Sequence, residues 1–271
     1  MAEKNMTFWE HLDELRKVLF RSALILLGAA IVFFIFKDFM FGIVFAPTDD
    51  NFVLYRLVDR ILNSVDQDPL GPFKLKVINI DLPAQFFIHI STSFYFALVV
   101  CTPIILYQLW TFVSPALYPK EKRAAVRAFS FAAVFFYLGV LVGYFLLFPL
   151  TVRFLGTYQV MDDVANQISL KSYISTFFSL ILILGAVFEL PTVAALLSKF
   201  GLIYKHTLKK YRRHAFVILL IIAAIITPTG DPFTLMAVGL PLYGLYEVSI
   251  MMCREKKKDE DEVEEKEEVE K

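Results

Sequence analysis

The sequence predicts an all-α, polytopic integral membrane protein, and three observations carry that expectation. Of 271 residues, 57% are hydrophobic and 28 are Phe, more apolar surface than a soluble domain of this length buries. The charges gather in short clusters separated by apolar runs long enough to cross a bilayer. Lys and Arg then divide unequally between alternate sides of those runs, 20 against 7. The formal net charge of zero conceals this bias. Arg254–Lys271 holds ten acids and six bases, which leaves the remainder with 21 bases and 17 acids.

Taken in order, Met6–Arg21 reads MTFWEHLDELRKVLFR. Thr7 with Glu10 three residues later fits a capping box. Phe8, Leu12, Leu15 and Leu19 form one apolar stripe, with Glu10, Asp13, Glu14, Arg16 and Lys17 mostly off it. The expectation is an amphipathic helix on the membrane surface before the chain turns in. Val18–Phe36 is the first span, closed by Lys37 and Asp38. Gly42–Pro83, with six Asp, two Arg, two Lys and turn signals at Asp68-Pro69 and Gly71-Pro72, is expected to form a structured outer cap.

Phe86–Leu106 is the second span, with Pro103 near its inner end. The chain leaves the bilayer through Tyr107, Trp110 and Phe112, residue types that anchor at headgroup level. Pro115 and Pro119 bar an ordinary helix interior across this exit, which is therefore bent and fixed. Lys120, Lys122 and Arg123 mark its side as cytoplasmic and surround one acid, Glu121. That carboxylate is either a salt-bridge filler or the reason for the cluster.

Ala128–Thr151 is the third span and Thr151–Lys171 an outer loop. Ser172–Ser198 is the fourth, with a single ionisable residue, Glu189, followed by Pro191. Lys199–Arg213 is a basic loop with six Lys or Arg. Ala215–Thr227, 13 residues, is a short fifth span; it reaches about 20 Å against roughly 30 Å of hydrocarbon. A tight turn, Pro228–Pro232 with Asp231 as turn-former, joins it to a sixth span, Pro232–Met252. The expected organisation is a single six-span domain over residues 1–253, both termini cytoplasmic, and a charged tail over 254–271 expected to be disordered.

An enzyme finds no support. The chain lacks a Walker A loop, HExxH and GxSxG, and its four His and two Cys show no metal spacing. Cofactors, metals and nucleic acid are therefore not expected.

What remains is a series of motifs: His11-Leu12-Asp13-Glu14-Leu15-Arg16-Lys17, Ala46-Pro47, Pro103-Ile104-Ile105-Leu106-Tyr107-Gln108, Ser114-Pro115-Ala116-Leu117-Tyr118 and Glu121-Lys122-Arg123. Phe148-Pro149-Leu150, Phe188-Glu189-Leu190-Pro191 and Ile226-Thr227-Pro228 follow. In this order and spacing they resemble the TatC family, the receptor core of the twin-arginine protein translocase, over nearly the whole chain. The long first outer loop and the acidic tail depart from the family pattern.

The resemblance implies binding of the twin-arginine signal peptide of a folded precursor at the cytoplasmic face of the inner membrane. It implies assembly with TatA- and TatB-type single-span proteins and with further copies of the chain, and transport driven by the proton-motive force. The family's arginine-receiving acids fall on Glu14 and Glu121, with Arg16, Tyr107, Gln108 and Phe112 beside them. The alternative reading is a secondary transporter or channel subunit built on Glu189 and the Pro191 break.

Overall fold

A computed structural model describes residues 8–65, 68–69, 71–116, 119–161, 166–226 and 232–255. Eleven helices appear among them. Four stretches are long and apolar enough to cross a membrane: Trp9–Ile35, Ala84–Val113, Ala128–Thr157 and Leu170–Lys199. Val238–Met252 is a shorter apolar helix. The chain divides into two compact units, one within residues 1–118 and 140–184, the other within 119–139 and 185–271.

In the first unit α1, Phe8–Ile35, is one continuous helix. The expected surface helix followed by a separate span is thus corrected. No Gly or Pro interrupts Phe8–Leu27, so nothing stops the helical ladder where hydropathy changes. A break comes only at Phe36, after which α2 (Lys37–Phe45) runs into a 3-10 turn, Ala46–Thr48, with Pro47 buried inside it.

The long helix α4, Ala84–Val113, contains Pro103 and packs along α1. Its 30 residues reach about 45 Å, longer than a hydrocarbon core of roughly 30 Å, so about ten residues exceed what a span needs. Its last two turns are the ones that carry aromatics of the headgroup-anchoring type, Tyr107, Trp110 and Phe112. The α-helix ends where the prolines of the exit begin. A 3-10 turn, Ser114–Ala116, holds Pro115, and α5 (Pro119–Val142) begins on Pro119 itself.

The outer cap has order that patterning did not reveal. Helix α3, Val53–Ser64, turns Tyr55 inward to 1% exposure. Its phenol donates toward the carbonyls of Pro47 (3.1 Å) and Pro149 (2.9 Å). Tyr144 and Tyr173 donate to the carbonyls of Ile43 (3.0 Å) and Val44 (2.7 Å). Three tyrosines thus satisfy carbonyls at the end of α2 and in the adjoining turn, groups that would otherwise be stranded. Two short strands, β1 (Val77–Ile78) and β2 (Ile168–Ser169), pair in parallel and tie the first outer segment to the second.

The span after α5 changes pitch at Gly143–Leu147, a single π-turn, before α6 (Phe148–Thr157). Pro149 accounts for this local change, since it cannot supply the next α-type donor. Helix therefore continues to Thr157, six residues past the expected start of the loop at Thr151.

The fourth span is also not one helix. It divides into α7 (Leu170–Val187) and α8 (Leu190–Lys199), broken at Phe188–Glu189 ahead of Pro191. In the second unit α8 ends in a Schellman turn. Gly201 takes φ 76°, and the Leu202 amide bonds the Leu197 carbonyl at 3.0 Å. After α9 (Lys205–Lys210), helices α10 (Arg212–Ile226) and α11 (Pro232–Met252) pack together, with α8 also against α11. The turn carrying Asp231 and the tail from residue 256 lie outside the described residues.

Candidate signal-peptide site

The residues expected to read a signal peptide start on the first turns of α1 and the last turns of α4. His11 stacks on Phe112, ring centroids 4.3 Å apart and planes at 22°. Farther along the same seam Phe34 stacks on His89 at 4.0 Å. The two pairs share one antiparallel register. Glu14, three residues beyond His11, therefore lies level with Leu109, between the helical turns that carry Gln108 and Phe112.

Helical geometry also sorts the expected residues by face. Gln108 and Phe112 are four apart and share the face turned to α1. Tyr107 precedes Gln108 by one residue, points about 100° away and is 63% exposed. It stands in the position of a headgroup anchor rather than on the seam. Arg16 is exposed and, two residues from Glu14, lies on nearly the opposite side of α1. Glu14 is ion-paired with Lys17, one helical turn on, at 2.8 Å. With both partners about half exposed, that pair contributes at most about 1 kcal/mol and can exchange for another cation.

Two residues went unremarked in the sequence as site-formers. His11 supplies the aromatic contact that fixes the mouth of the seam, and Lys17 holds Glu14. Their signal was present: both are one helical turn from Glu14. Of Glu121, the structure describes the backbone, in the first turn of α5; its side chain lies outside the described residues.

Glu189 sits at the break between α7 and α8, in the N-cap position of α8, without a side-chain capping bond. Its Oε1 is buried, and so is Oγ1 of Thr192, one turn on in α8; among the described residues neither atom meets hydrogen-bond geometry, although the two side chains are close enough to interact. Pro191 is buried at the second position of α8, where its missing N–H costs nothing. A buried carboxylate oxygen with room for a further partner, within a stretch apolar enough to cross a membrane, marks a place where a polar group from elsewhere gains from binding. Among the described residues no cluster of three or more His, Cys, Asp or Glu is placed to hold a metal ion.

Comparison with known proteins gives a consistent result. The family model described as Sec-independent protein translocase protein (TatC) matches residues 10–241. A protein of that name from Blattabacterium is 37% identical over 254 residues, covering 92% of this chain and 95% of its own. One from Desulforapulum autotrophicum is 34% identical, covering 97% and 90%. A crystal structure of the twin-arginine translocase receptor TatC superposes with a TM-score of 0.68 at 33% identity, over 90% of this chain and 97% of that one. A second, in detergent, gives 0.70 at 32% identity.

Proposed function

The chain belongs to the TatC family of Sec-independent protein translocase components, and from that premise we propose that it receives the twin-arginine signal peptide at the α1–α4 seam and the start of α5. The observation that carries this reading is the His11–Phe112 stack, with Glu14 one turn from it at the end of a membrane helix. In this reading both termini are cytoplasmic, six helices cross the inner membrane, and Glu14 and Glu121 converge to form one arginine-reading site. The Lys and Arg bias supports the orientation.

The chemistry favours arginine. A guanidinium presents a planar fork that bonds a carboxylate in two places, which an ammonium cannot do. An incoming arginine competes with Lys17 for Glu14, and the seam supplies Gln108 as a neutral partner for the peptide backbone. Glu189, whose buried Oε1 lies at the helix break, receives a polar group of a TatA- or TatB-type single-span partner in the transport step. Further copies of the chain complete the assembly, and the proton-motive force drives it.

The test is a binding titration of an arginine signal peptide against the wild type, Glu14→Ala, Glu121→Ala and the double mutant. Each charge-assisted pair contributes about 1.5–3 kcal/mol, so each single substitution should weaken binding roughly ten- to a hundredfold. The double mutant should lose less than the sum of the two. Twin-lysine peptides should show a similar loss against the wild type. Wild-type affinity in Glu121→Ala refutes the shared site.

A further inference from the structure

A second charged feature lies away from the seam, within the second unit. Lys209, Lys210, Arg212, Arg213, Phe216 and Tyr243 line an open cleft of about 480 Å³. Arg212 is paired with Glu247, which also accepts from the Tyr243 hydroxyl at 3.1 Å. That carboxylate is thus matched by its own cation, and Tyr243 is held in place at the floor of the cleft. Lys210 lies over the ring of Tyr211, 5.9 Å from its centroid. Among the described residues Lys209, Lys210 and Arg213 have no ion-pair partner within contact distance. Among the described residues Glu255 also acts on this cluster, but it is ion-paired to Lys205 and feels Lys209 only at longer range, so the cleft carries a net positive charge.

What lies directly beneath those charges decides the ligand. Helix α10 begins at Arg212 and is apolar from Phe216 onward, with Leu219 and Ala223 buried on the packed face and the other face uncovered. Val217, Ile218 and Ile221 are each more than half exposed and Ile225 is 79% exposed, with Phe216 only slightly less open at 45%. Phe216 meets Tyr243 edge-on at 5.5 Å, closing the cleft where the polar and apolar surfaces join. A soluble anion would use only the upper half of this arrangement. A ligand with an anionic head and hydrocarbon chains uses both.

We propose that this cleft binds an anionic phospholipid, with its phosphate among Lys209, Lys210 and Arg213 and its acyl chain along the exposed face of α10. Basic clefts beside membrane helices hold anionic headgroups by this means, each cation adding to the attraction. The positive end of the α10 dipole adds in the same sense. The aromatic pair at the boundary matches the amphipathic level of the bilayer, where a ring and a hydroxyl are both at home. Lipid retained at this point anchors the basic segment to the leaflet beside a helix of only 15 residues.

The experiment uses the full chain in a neutral detergent and native mass spectrometry. The probes are dioleoyl phosphatidylglycerol, dioleoyl phosphatidylcholine and inorganic phosphate. The wild type should retain phosphatidylglycerol at least tenfold better than phosphatidylcholine, and millimolar inorganic phosphate should fail to displace it. Lys209→Gln/Lys210→Gln/Arg213→Gln should lose roughly tenfold or more of that retention. Lys74→Gln/Lys76→Gln/Lys171→Gln removes the same charge elsewhere and should lose none. All six are surface residues, so both variants fold, and Arg213→Gln alone should show an intermediate loss. Equal retention of the two lipids, or unchanged retention in the first triple variant, overturns the proposal. Displacement by inorganic phosphate also overturns it, assigning the cleft to free phosphate. Retention that appears only after removal of residues 256–271 overturns it in favour of the chain's own acidic tail.

Discussion

Tyr55→Phe removes one oxygen from a fully buried side chain of the segment between the first two spans, and its effect can be worked from the structure. The hydroxyl lies 3.1 Å from the Pro47 carbonyl and 2.9 Å from that of Pro149, residues far apart in sequence. At 1% exposure no water replaces it. A lost hydrogen bond that leaves a buried acceptor unpaired costs about 1–3 kcal/mol. For a chain of this size that lowers the thermal midpoint by roughly 3–8 °C. Tyr55→Ala adds loss of the ring, which Arg153 covers at 5.0 Å and Phe73 meets edge-on at 5.7 Å. Its cost is about 3–5 kcal/mol. The assay is fluorescence-detected melting of the purified protein in detergent. Burial also pushes the phenol above its ordinary range, with Arg153 opposing. A raised value means the neutral donor is favoured by folding, so its contribution is complete below about pH 10 and lost above it. A Tyr55→Phe midpoint within about 1 °C of the wild type would refute the claim that this hydroxyl joins the two segments.

Three further outcomes follow from particular contacts. A Cβ on Gly185 would stand 2.8 Å from Cε2 of Phe136, so Gly185→Ala should cost about 1–3 kcal/mol by overpacking, and Phe136→Leu in the same chain should restore part of the lost melting midpoint. Glu189→Ala should leave folding and signal-peptide binding intact while impairing export in a precursor-transport assay, because it removes the buried carboxyl at the α7–α8 break; full export by the variant would dispose of that role. Glu255 accepts from Lys205 at 2.9 Å, which holds its carboxyl below the usual range. Its contribution is therefore present at neutral pH and lost as pH falls through the carboxylate range; an NMR titration should give a lower midpoint for Glu255 in the wild type than in Lys205→Gln.

The membrane class and the long apolar spans were legible in the sequence because burial in lipid needs only length and hydropathy, both one-dimensional quantities. So was the family, because the motifs from His11 to Pro228 keep their order. The end of the α4 helix ahead of Pro115 was equally readable, since proline acts on its own backbone. Other features depended on contacts between distant segments. The continuity of α1 through Val18 was misread because a change in hydropathy was taken for a change in backbone, and the ladder does not sense polarity. The π-turn at Gly143–Leu147 and the helix break at Glu189 have local causes in Pro149 and Pro191, yet their extent is set by packing. The tyrosine bonds to Ile43, Val44 and Pro47 join residues up to about 130 positions apart, as does the β1–β2 pair over a shorter span. Periodicity cannot announce such partners, because a phenol or a strand edge is the same in sequence whatever it meets. At the seam the sequence supplied Glu14, Gln108 and Phe112. The Lys17–Glu14 pair lies within one helix and follows from its spacing of three. Tertiary structure alone decided that His11 stacks on Phe112, and so which face of α4 meets α1, because the phase of one helix against another is fixed only when they pack.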